Sequence, residues 1–241
     1  MKKVVLPLLI LILMISCSCP GTFTALFDKL KPQSTPITES NDVLSLIAND
    51  RIRVISTRGE IVVYNLGGRT INMELYNNTD APLEVIIPCG LVYIPTDPGS
   101  SRMVVVQGSE IQFTAGETRE IRPFALSIDS LKSLPKSETT YRLEMLEEGK
   151  QLDLAKCLCL EDLPAETETQ DLVSLQLAAW MIDPDSDITK FPENINDWLK
   201  DLTGLPIGIP GLDDTLQNLA GSLAPKAQTW LDKCGIEIED E

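Results

Sequence analysis

A chain of 241 residues that is 43% hydrophobic and 23% charged has globular composition, with length for one large domain or two small ones. Its net charge of −16 repels nucleic acid and anionic headgroups, and no basic run offsets this, so no nucleic-acid partner is expected. Histidine is absent, which removes Ser-His-Asp and Cys-His nucleophile systems and most zinc chemistry; any catalysis would fall to carboxylates, Lys, Tyr or Cys.

In chain order, Lys2 and Lys3 precede an apolar run from Val4 to Ile15 and then "SCSCP". About a dozen apolar residues are too few to span a bilayer comfortably and match the core of a secretory signal. Residues 1–19 are therefore read as a signal peptide. Ser16-Cys17 resembles the lipobox of bacterial lipoproteins, with Met14 where leucine is usual. That resemblance implies a lipid-modified Cys17 holding an exported protein on a membrane; cleavage near Cys19 to Gly21 would instead release it. Residues 20–45, with "KPQSTPITES", read as a tether.

Residues 46–135 read as strands. "RIRVIST" alternates, placing Ile52, Val54 and Ser56 on one face, and "GEIVVYNLGG" is a strand running into a double-glycine turn. "RTINMELYNNT" points Ile71, Met73 and Leu75 inward, and "NNTDAP" turns the chain. "LEVIIP", "GLVYIP", "RMVVVQG", "SEIQFTAGE" and "TREIRPFALSI" follow. Short strands with a turn signal about every ten residues favour a sandwich over alternating α/β units. The pattern resembles bacterial immunoglobulin-like domains.

Beyond "SLPKSE" the period changes, and residues 136–241 read as helical. "EEGKQLDLAKCLCLEDL" places Leu152, Ala155 and Cys159 on one stripe. "TETQDLVSLQLAAWMIDP" places Leu172, Leu175, Ala179 and Ile182 at helical spacing and stops at Asp183-Pro184. "ENINDWLKDLTG" is a short helix. "LDDTLQNLAGSLAPKAQTWLDKCG" is a helix interrupted near Gly221 and Pro225 and ended by Gly235. Strands followed by helices give an α+β class: an antiparallel sandwich with a small helical region, as two domains or one unit.

If Cys17 carries lipid, Cys19, Cys89, Cys157, Cys159 and Cys234 remain, and export permits disulfides of unspecified connectivity. Cys157 and Cys159 are two apart and point different ways on a helix, so they are not expected to pair with each other. "LQLAAW", Leu175 to Trp180, resembles the glutamine motif of thioester domains in bacterial surface adhesins. The resemblance implies that Gln176 could acylate a cysteine in an aromatic-or-Leu–Cys–apolar setting and trap amines without a cofactor. "FAL", Phe124 to Leu126, has that frame with alanine in place of cysteine; "LCL", Leu158 to Leu160, carries Cys159, and Cys89 is the other candidate sulfur. Asp183, Asp185 and Asp187 alternate as in the start of an EF-hand loop, but Ile188 and Asn194 replace its glycine and glutamate. The pair Asp183 and Asp185 is also the site a carboxylate-based hydrolase would use. Asn77-Asn78-Thr79 matches a glycosylation acceptor and equally a turn. These features together lead to an expectation of a non-enzymatic envelope lipoprotein, without cofactor, that binds a protein partner or serves as a structural module.

Overall fold

The computed structural model describes residues 40–60, 68–165, 168–186 and 212–238. The chain is an α+β protein. Among the described residues its elements are α1 (Val43–Ala48), β1 (Ile52–Gly59), β2 (Ile71–Asn77), β3 (Leu83–Ile87), β4 (Leu91–Pro95), β5 (Met103–Gln107), β6 (Ser109–Phe113), β7 (Thr118–Ile121), β8 (Phe124–Ser127), β9 (Tyr141–Met145), α2 (Lys150–Leu158), α3 (Thr169–Met181) and α4 (Leu212–Lys233). The strands form antiparallel sheets ordered β1-β2-β7, β3-β6 and β8-β5-β4-β9. The expected signal peptide, Cys17, the helix over "ENINDWLKDLTG" and Asp187 lie outside the described residues.

The four-stranded sheet is the middle layer. Side chains alternate across a strand, and here both faces are apolar. Leu91, Tyr93, Met103, Val105 and Ala125 join a cluster with Ile71, Met73, Leu75, Val85 and Phe113 of the other sheets. Val92, Val104, Val106, Phe124 and Leu126 join a second cluster with the helices. A strand buried on both faces needs a continuous apolar run, which is what "MVVV" in β5 supplies. Residues Ser40–Glu241 form one compact unit. The expected boundary at 133–138 falls inside it, because β9 pairs along the whole of β4 and the helices share a core with the sheet. "YRLEM" alternates apolar and charged residues, so β9 carried a strand signal within the stretch read as helical.

Three local expectations are corrected. Ile52, Val54 and Ser56 do not share a face, because the register of β1 shifts between Val54 and Ser56; Ile55 bulges out, 54% exposed, and Thr57 turns inward. The tether ends before 45: Asn41 accepts from the Ile86 amide, and Asp42 caps α1 by accepting from the Ser45 amide at 2.9 Å. Val43 and Leu46 then enter the core. Finally, α4 runs unbroken through Pro225. Proline lacks one amide donor but has a helical φ, and Leu223, Ala227 and Leu231, one turn apart, bury a continuous stripe that outweighs the missing bond. Gly235, at φ 66°, then closes the helix, with the Ile236 amide bonded to the Leu231 carbonyl and Ile236 itself buried.

Candidate functional site

From Leu172 to Trp180 helix α3 is buried all round: Leu172, Val173, Leu175, Leu177, Ala178, Ala179 and Trp180 all lie in the helical core. Such a helix has no solvent face for its polar residues, so each must find a partner inside. Gln176, Trp180 and Asp183 recur at i, i+4 and i+7, which places them on one stripe. That stripe meets the end of β8.

Gln176 is 1% exposed. Its Oε1 accepts from the Ser127 amide at 2.9 Å and its Nε2 donates to the Ser127 carbonyl at 2.8 Å. A side-chain amide thus stands where the next strand would be. One residue pair back, Ala125 exchanges backbone bonds with Gly68 at 3.2 and 2.9 Å. Between them Gly68 and Gln176 satisfy the edge of β8 that does not face β5. Trp180 Nε1 donates to Ser127 Oγ at 2.9 Å, and Ser127 Oγ also bonds Ser101 Oγ. Asp183 Oδ2 accepts from both the amide and the hydroxyl of Ser130 at 2.7 Å. Next to it, Asp129 accepts from Arg102: the backbone amide at 2.7 Å, Nη2 at 2.6 Å and Nε at 3.0 Å. The hydrogen bonds it donates to Asp129, opposed by partial burial and aided by the Asp129, Asp183 and Asp185 charges, push the pKa of the Arg102 guanidinium above its ordinary value. It is fixed in the charged form.

Chemically this seam is a lock. Its amide, hydroxyls and carboxylates are hydrogen-bonded between α3, β8 and the segment after it, and Gln176, Ser127, Asp129, Ser130 and Asp183 are buried. Sequence reasoning singled out Gln176 and Asp183 but missed Ser127, Ser130, Asp129 and Arg102. The readable signal was the i, i+4, i+7 spacing of Gln176, Trp180 and Asp183 on an otherwise apolar helix.

The sulfurs take a different course from the thioester expectation. Cys89, in the turn after β3, is bonded to Cys159 at the end of α2, and Cys157 is bonded to Cys234 at the end of α4. A thioester to Gln176 needs a free thiol, and neither Cys89 nor Cys159 has one in this structure. Ala125, the position of the "FAL" frame, packs in the cluster on the face away from α3, whereas Phe124 and Leu126 face the helices. Of the calcium-loop residues, Asp187 and those after it lie outside the described residues; the Asp183 carboxylate turns inward onto Ser130, and its Oδ1 accepts from the Asp185 amide at 3.3 Å. Among the described residues no group of three His, Cys, Asp or Glu is placed to hold a metal. Asn77 is fully buried, its Nδ2 donating to the Ala81 and Thr114 carbonyls and its Oδ1 accepting from Thr79, so this acceptor motif is a turn closed to glycosylation in the folded state.

No protein family, characterised protein or solved structure matches the chain.

Proposed function

We propose that this is an exported, lipid-anchored envelope protein that works as a non-catalytic binding or structural module, its strand-rich part being immunoglobulin-like. One observation carries the compartment: four of the six cysteines form two disulfides, which persist in oxidising surroundings and rarely in a reducing cytosol. The other two, Cys17 and Cys19, follow the signal-like start, with Cys17 at the lipobox-like position. The sealed polar seam supports the non-catalytic reading, since its functional groups serve to join α3 to β8. Antiparallel sheets packed around one mainly aliphatic cluster, with the four-stranded sheet on one side and β1-β2-β7 and β3-β6 contributing the rest, support the immunoglobulin-like reading.

The test is the intact mass of the protein from a membrane fraction, before and after reduction with alkylation. A diacyl or triacyl addition on Cys17 is expected, together with four cysteines alkylated only after reduction. A bare chain beginning past Cys19 would make the protein secreted and end the anchor proposal. A deficit of one ammonia that methylamine restores would bring Gln176 forward as half of an amine-capturing bond.

A further inference from the structure

We propose that Cys89–Cys159 is a redox-sensitive joint: it opens ahead of Cys157–Cys234 and releases the β3–β4 turn from α2 while both apolar cores stay folded. The proposal rests on the two bonds and their surroundings and is independent of the lipid anchor.

The two bridges share the last turn of α2 but differ in what surrounds them. Cys159 is an exposed residue at the end of α2, followed by Leu160 at 88% exposure, so its side of the bridge lies at the protein surface. Cys89 is half-buried, and neither residue belongs to an apolar cluster. Cys157 is half-buried like Cys89, but its partner Cys234 is half-buried and packs against the helical core, so the bridges differ at Cys159 and Cys234. Thiol–disulfide exchange needs a thiolate to reach a sulfur, so access orders the two bridges.

The step balances with an external dithiol. One thiolate of the reductant attacks the Cys159 sulfur, and the Cys89 thiolate leaves and takes up a proton. The second thiol of the reductant then displaces Cys159 and closes into a disulfide. Two electrons pass from the dithiol to the bridge, and two cysteine thiols result.

The opened state keeps its packing. Leu152, Leu154, Ala155 and Leu158 hold α2 in the core independently of the bond, and Gly90 remains tied to the sheet through Val105 and Leu146. The close approach of that turn to α2, where a Cβ on Gly90 would lie 2.7 Å from Leu152 Cδ1, is what the bond clamps. The new Cys159 thiol also stands two residues from the remaining bridge, where further exchange could begin. Its targets there are Cys157, half-buried on α2, and Cys234, which packs against the helical core, so access slows attack on Cys157–Cys234. The arrangement therefore gives a single reversible opening.

The test uses the full oxidised chain titrated with dithiothreitol at neutral pH, with aliquots alkylated and mapped by peptide mass. Cys89 and Cys159 should become alkylated at least about tenfold faster than Cys157 and Cys234, as access-controlled exchange requires. The intermediate should keep the native near-UV circular dichroism of its tryptophans. Its amide exchange should rise at Cys89 and at residues 157–161 and stay unchanged at Gly90 and in β2. Equal rates, the reverse order, or loss of the tryptophan signal with the first pair would overturn the proposal. A Cys89→Ser/Cys159→Ser chain should reproduce the exchange pattern of the intermediate; a variant that fails to fold counts against the joint, because it makes the bond a condition of the fold.

Discussion

Residues 40–130 carry 11 acidic and 7 basic side chains, and every basic one is arginine; residues 131–241 carry 23 acidic and 9 basic, eight of them lysine. The first stretch builds most of the sheets and the second most of the helices. The strand region is nearly balanced and holds itself by burying both faces of its middle sheet. The helical region carries most of the net charge, and like charges on a compact body oppose its compactness. It is also the region in which both disulfides end. The contrast teaches that burial suffices where charge is balanced, and covalent bridges and a buried polar seam are added where it is not.

The largest effect should come from removing the bridge internal to the helices. Cys157 and Cys234 are 77 residues apart, and closing a loop of that size lowers denatured-state entropy by the equivalent of about 4 kcal/mol. A Cys157→Ala/Cys234→Ala chain should lose about 3–4 kcal/mol in urea unfolding. Amide exchange should accelerate in α2 and α4 before β2 and β5. Added salt should restore part of the loss by screening the acidic helices. Equal acceleration in β2 would erase the distinction between the two regions.

Next comes the seam that joins them. Gln176→Ala removes both partners of a buried backbone pair, the amide and carbonyl of Ser127. The expected cost is about 2–4 kcal/mol, and Gln176→Leu should not relieve it, since shape was never the deficit. Thermal unfolding of both variants checks this. A Leu variant as stable as the parent would show that packing of α3, and not pairing with β8, joins helix to sheet.

Much of this contrast was legible in the sequence, and the part that was not has a physical cause. Ile71, Met73 and Leu75 point inward as their alternation required, because β2 has one neighbour on each side and no irregularity. In β1 the same reasoning failed at Ile55, since a bulge adds a residue without any local sign in the apolar pattern. The buried stripe of α2 ends on Leu158 and not on Cys159, since the helix itself ends there and the cysteine turns outward to its bridge. For α3 the apolar stripe was readable but incomplete: a helix enclosed by sheet and by α4 buries residues on every side, so Gln176 had to be satisfied inside. Which backbone group would satisfy it depends on the strand it meets, and that is a tertiary fact. Disulfide connectivity was open for the same reason.

A smaller effect tests where the strand region begins. Burial of Asp42 raises its pKa, but hydrogen bonds from Ser40 and Ser45 outweigh this and hold its carboxyl below the ordinary 3.8. A depressed folded value contributes stability above the unfolded pKa and loses it as pH falls through the folded one. Asp42→Ala should therefore cost about 1 kcal/mol at neutral pH and flatten the acid limb of the stability curve below pH 4. Unchanged unfolding across that range would return α1 to the tether and leave the strands to fold without it.

The smallest effect has the opposite sign and asks whether the strand core is as well satisfied as its charge balance implies. Tyr141 is buried against the edge of Tyr93, 6.3 Å between ring centres, and among the described residues its hydroxyl finds no partner. Burial, with a smaller contribution from the Asp97 charge, raises its pKa well above the ordinary 10.0. A raised folded value leaves stability whole below the unfolded pKa and loses it as pH climbs from there toward the folded value. Replacing Tyr141 by Phe removes a buried group that water would have solvated in the unfolded chain and opens little space. Stability at pH 7 should stay level or rise by up to about 1 kcal/mol, and part of the alkaline loss above pH 10 should vanish. A clear loss at pH 7 would mean that the hydroxyl has a partner, such as a buried water, and that the strand core also depends on polar bonds. The two regions would then differ in charge alone.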